Sequence, residues 1–66
     1  MEITLNGERR EAGTGDSVLD LIDGLGLPQD AVVIERNGKI VERADYEATV
    51  LASGDVIELV RIVGGG

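Results

Sequence analysis

Cysteine, histidine, phenylalanine and tryptophan are all absent from this 66-residue chain, and proline, methionine and tyrosine occur once each. Without cysteine there are no disulfides to staple a small fold, and without cysteine or histidine the usual zinc ligands are missing. With no histidine, and with Lys39 the sole lysine, Ser17 lacks a base that would turn it into a nucleophile. A single aromatic ring, Tyr46, makes no stacking platform for bases, and a lone tyrosine among aliphatics reads as a half-buried anchor with its hydroxyl in water. Positive charge is scarce too: 6 basic residues stand against 13 acidic ones, a net charge of −7. That balance repels phosphate backbones, which argues against nucleic acid as a partner, and it suits basic protein surfaces. No apolar run approaches the roughly 20 residues that span a bilayer. Met1–Leu5 also lacks the basic start and apolar stretch of a signal peptide, so the expectation is a cytoplasmic protein with no membrane contact.

Aliphatic residues therefore carry the fold. With 42% apolar and 29% charged residues the composition is that of a folded domain. A single domain this short buries only about 60% of its unfolded surface, leaving a thin core and no room for a sizeable substrate cavity.

Ile3 and Leu5 alternate with Glu2 and Thr4, and Asn6-Gly7 supplies the positive φ angles of a tight hairpin into a second strand, Glu8 to Ala12. Gly13 to Asp16 breaks that strand. Ser17 then caps a helix starting at Val18, with Asp20 three residues on. Val18, Leu21, Ile22 and Leu25 form one apolar stripe, Asp20 and Asp23 face water rather than act as an acid–base pair, and Gly26 and Pro28 end the helix. Ala31–Arg36 reads as a third strand, and Asn37-Gly38 as a second hairpin turn into Lys39–Val41. The stretch from Glu42 to Ser53 is irregular, with room for one helical turn and with Tyr46, Val50 and Leu51 as inward anchors. Val56–Val63 is the longest β-branched run, apolar on both faces, as befits a central strand. Strands flanking a single helix make the class α+β, with the helix on one face of the sheet.

The chain closes on Gly64-Gly65-Gly66. A glycine run fits a frayed terminus, and it equally fits a backbone that threads a channel too narrow for side chains. Extended, three glycines carry the carboxylate about 10 Å out.

The order and spacing of four segments decide between these readings: Ile3-Thr4-Leu5-Asn6-Gly7, Gly15-Asp16-Ser17-Val18, Val33-Ile34-Glu35-Arg36-Asn37-Gly38, and Gly54-Asp55-Val56-Ile57-Glu58 before the glycines. Together they resemble, over essentially the full length, the β-grasp sulfur carriers, most closely those of thiamin biosynthesis. The family usually has a proline where Val41-Glu42-Arg43 stands and often a tryptophan at Tyr46, so the departures lie in the connector.

The resemblance implies a ubiquitin-like β-grasp domain over residues 1–63, its last strand parallel to the first, and a flexible tail over residues 64–66. It implies that the Gly66 carboxylate is adenylated with ATP by a ThiF-type adenylyltransferase. A cysteine desulfurase or other persulfide donor then converts it to a thiocarboxylate, which gives sulfur to a ThiG-type thiazole synthase. On this reading Gly64 and Gly65 thread into partner active sites, the carrier is not itself an enzyme, and it binds no cofactor. Strand alternation turns Val33, Val60 and Ile62 outward, and with Val63 they form the partner-binding patch beside the tail. Glu35, Glu42, Asp45, Glu47 and Glu58 are available to steer docking. Related roles stay open: a sulfur carrier for molybdopterin or for tRNA thiolation, or a ubiquitin-like interaction or conjugation module.

Overall fold

A computed structural model describes residues 1–63. Its framework follows from two dipeptides. Asn6 and Gly7 take φ of 49° and 82°, and Asn37 and Gly38 take 52° and 84°. Two successive left-handed residues make the hairpin turn whose twist matches that of paired strands. The first turn closes β1 (Glu2–Leu5) onto β2 (Glu8–Glu11), and the second closes β3 (Val32–Arg36) onto β4 (Lys39–Val41).

Between the hairpins lies α1 (Val18–Gly24), started as its sequence predicts. The Ser17 hydroxyl accepts the Asp20 N–H at 3.1 Å while the Asp20 carboxylate accepts the Ser17 N–H at 2.8 Å. Two of the donors left orphaned at a helix start are thereby satisfied. At the other end Gly26 adopts φ 72°, the Leu27 N–H reaches the Ile22 carbonyl and the Gly26 N–H the Asp23 carbonyl. That pair of bonds is the Schellman stop, which glycine makes without steric cost. Leu25 is accordingly the cap residue rather than part of the helix, and is only partly buried.

The third strand begins one residue later than expected. Ala31 closes a 3₁₀ turn over Gln29–Ala31, its N–H bonded to the Pro28 carbonyl, and only Val32 returns to extended backbone. A second 3₁₀ turn, Arg43–Asp45, supplies the helical turn expected in the connector. The last strand, β5 (Val56–Arg61), runs parallel to β1 and antiparallel to β3, giving the order β2-β1-β5-β3-β4. It is central, as its two apolar faces require. It ends at Arg61 rather than Val63, although the Ile62 N–H still donates to the Ala31 carbonyl at 2.8 Å. A mixed five-stranded sheet with one helix and a last strand beside and parallel to the first is the ubiquitin-like β-grasp arrangement.

The helix packs its stripe of Val18, Leu21 and Ile22 on Ile3, Val32, Ile34 and Ile57 of the sheet, and Tyr46 and Leu51 close the core. Each such aliphatic side chain contributes about 1.5–3 kcal/mol on burial. Two anchors differ from expectation. Val50 is 54% exposed, because it pairs across an isolated bridge with Ser17 in extended backbone, which sends Val50 outward and Leu51 inward. Tyr46 is buried through its hydroxyl, which donates to the Val32 carbonyl at 3.3 Å instead of meeting water.

Candidate functional site at the exit of the last strand

The sheet face away from the helix is set by strand alternation. Ile57 and Leu59 point to the helix, while Val56, Glu58, Val60 and Ile62 point out. Val33 stands directly opposite Val60, and both are exposed, Val60 by 60%. Ile62 follows just past the end of β5 and is exposed, and Val63 is 89% exposed beyond it. Val33, Val60 and Ile62 thus share the surface at which the chain leaves the sheet, and Val63 is exposed just past it. Gly64, Gly65 and Gly66 lie outside the described residues.

One member of this surface escaped the sequence reading. Ile40 is exposed and stands opposite Glu35, on the same face as Val33. The signal was present, since a two-residue hairpin over Asn37-Gly38 pairs Arg36 with Lys39 and hence Glu35 with Ile40. A shallow groove of about 280 Å³ continues the patch, lined by Val33, Ile40, Val41, Ile62 and Arg43 among others. Beside the apolar residues Glu35 and Glu58 face each other across β3 and β5. Like charges directly opposite oppose pairing, so the sheet carries a small electrostatic cost at this spot. Of the other acidic residues, Glu42, Asp45 and Glu47 are exposed around the connector.

The position of β5 is fixed at its start by a buried carboxylate. Asp55, 6% exposed, accepts from the Ala52 N–H (2.8 Å), the Asn37 Nδ2 (3.0 Å) and the Arg36 Nε (2.8 Å). Burial alone would raise its pKa, but the Ala52 N–H, the Asn37 amide and the Arg36 guanidinium outweigh it and hold the carboxyl below its usual range. Tyr46 shifts the other way, its phenol raised by burial, which the Arg43 charge only partly offsets.

No group of three His, Cys, Asp or Glu converges among the described residues, and no buried side-chain polar atom among them lacks a partner. A depression of about 850 Å³, open to solvent, lies between the end of α1 and Arg43 and shares Gln29, Asp30, Glu42 and Arg43 with the groove beside Ile62. Ser17 and Asp20 are spent on capping each other's backbone. No helix among the described residues is long and apolar enough to cross a membrane.

The ThiS family model matches residues 3–66. The chain belongs to the ThiS family. The sulfur carrier protein ThiS of Bacillus subtilis is 35% identical over 68 residues, covering 97% of this chain and 98% of that protein. The crystal structure of the thiamine biosynthesis protein ThiS from Geobacter metallireducens superposes with a TM-score of 0.83 at 32% identity, covering all of both chains. A thiazole synthase of Magnetococcus marinus is 44% identical over 66 residues, a match that takes in all of this chain and 20% of the synthase. The chain therefore spans about a fifth of the length of that relative, and one stretch of the synthase is a ThiS-like segment.

Proposed function

We propose that the chain is a sulfur carrier for thiamin thiazole formation and that its working group is the α-carboxylate of Gly66. The observation that carries the reading is the family match, which extends from the first strand through the glycine tail to Gly66 itself. A carboxylate is a poor electrophile, so an adenylyltransferase first joins it to AMP, consuming ATP and releasing pyrophosphate. The terminal sulfur of a persulfide then attacks the acyl carbon and the bond to AMP breaks. A thiol reduces the resulting S–S bond and frees a thiocarboxylate, whose ionised sulfur is nucleophilic as a thiolate is. Thiazole synthase is the acceptor, and the similarity to a synthase that includes such a segment supports that pairing.

The exposed Val33, Val60 and Ile62 serve as the docking patch, with Val63, Gly64 and Gly65 leading from it into the partner. A patch of this kind supplies apolar contact area, and the surrounding acidic residues speed encounter with basic enzymes. ATP–pyrophosphate exchange with the cognate adenylyltransferase tests the first step. Exchange should depend on the carrier and vanish when Gly66 is deleted, with thermal unfolding unchanged. An intact mass showing Gly66 as the terminal residue fixes the reacting group. Exchange that persists without Gly66 overturns the assignment.

A further inference from the structure

Both Asn-Gly turns do more than close their hairpins, because both asparagine side chains bond to the last strand or its approach. Asn37 Oδ1 accepts the Val56 N–H at 2.9 Å, and its Nδ2 holds Asp55. Asn6 addresses one residue twice: its Nδ2 donates to the Leu59 carbonyl at 3.1 Å, and its Oδ1 accepts the Leu59 N–H at 2.7 Å. Asp-Gly or Gly-Gly would serve the turn as well. Of these turn residues only asparagine also brings a carboxamide, with a donor and an acceptor side by side, whereas an ionised aspartate only accepts and glycine has no side chain.

The placement explains the need. β1 follows β5 as far as Leu5 opposite Ile57, and the last main-chain bond runs from the Asn6 N–H to the Ile57 carbonyl at 2.9 Å. The chain then turns back into β2, so main-chain pairing on that side of β5 stops before Leu59. On the other side β3 pairs with β5 out to Arg61, and the Ala31 carbonyl accepts the Ile62 N–H just beyond. A strand held on one edge only is free to twist about that edge. The Asn6 carboxamide adds the missing rung.

We propose that Asn6 is a positioning residue for the chemistry at Gly66, fixing the line along which the chain leaves the sheet. The inference rests on the sulfur-carrier reading. Gly66 lies seven residues beyond Leu59, a reach of up to about 24 Å when extended. A twist at Leu59 changes the direction in which Val60 to Val63 leave the sheet, and a misplacement near 1 Å at a reacting group costs up to about a hundredfold in rate.

Asn6→Gly keeps the left-handed turn and removes the carboxamide, whereas Asn6→Asp keeps the acceptor for the Leu59 N–H and loses the donor. Both are compared with wild type, as full chains, by hydrogen exchange and by steady-state adenylation with the cognate enzyme. In Asn6→Gly the Leu59 amide should exchange at least about tenfold faster while Ile57 is unchanged. Adenylation kcat should fall about tenfold with KM moving less than about twofold, because the docking patch is untouched. Asn6→Asp should keep Leu59 protected and recover part of kcat. A faster Leu59 amide with wild-type kcat overturns the positioning role, and unchanged exchange overturns the clamp itself. Wild-type chain that is never adenylated overturns the carrier reading instead, and with it the role given to Asn6.

Discussion

Replacing Asp55 by alanine removes the acceptor on which the approach to the last strand depends. The carboxylate takes three hydrogen bonds while 6% exposed. The bonds from Ala52 and Asn37 are worth about 1 kcal/mol each. The Arg36 contact adds about 1 kcal/mol more after allowance for solvent screening, since that side chain is 32% exposed. The expected loss is therefore roughly 3 kcal/mol. A domain of this size holds about 3–10 kcal/mol in all, so the midpoint of thermal unfolding should drop by about 12–24 °C.

The pH dependence has a definite sign. The folded-state pKa of Asp55 is lowered, so its stabilisation is fully present above the unfolded value, about 4. It is lost as pH falls through the lower folded value. Circular dichroism melts of wild type and Asp55→Ala at pH 7 and at pH 2 should show a large gap at neutrality that narrows in acid. A gap under about 1 kcal/mol at pH 7, or one of equal size at both pH values, would show that the Asp55 carboxylate does not hold the start of β5.

Ser17→Ala removes one half of the reciprocal cap and should cost about 1 kcal/mol by urea unfolding, with the Asp20 amide losing exchange protection. Ile34→Ala, at a position with no solvent exposure, should cost about 2–5 kcal/mol, and a smaller loss would mean that the core recloses around it. Val60→Asp should leave stability within about 0.5 kcal/mol of wild type while weakening binding to the adenylyltransferase at least about tenfold, measured by calorimetry. Comparable losses of stability and binding would assign Val60 to the fold rather than to docking.

The parts of the fold legible in the sequence are those fixed by local chemistry. Two Asn-Gly steps demanded two hairpins, Ser17 with Asp20 demanded a helix start, and the two-faced run from Val56 demanded a central strand. The outward direction of Val33, Val60 and Ile62 followed from alternation once the strands were placed. What stayed hidden depends on contacts distant in the chain. Val50 and Leu51 are neighbours in an apolar pair, and only the bridge to Ser17 decides which one turns inward. The Tyr46 hydroxyl is buried because the Val32 carbonyl happens to lie above it. Asn6 looked complete as a turn residue, and its bond to Leu59 spans 53 positions that no local pattern connects.

We propose that sulfur is carried on the carboxyl group of Gly66. Intact-protein and C-terminal-peptide mass spectrometry after incubation with the adenylyltransferase, ATP and a persulfide donor tests it most directly. One oxygen should be replaced by sulfur, located on Gly66 and lost again on turnover with thiazole synthase. Sulfur found on any other residue, or a C-terminal peptide unchanged in the presence of active partner enzymes, would contradict it.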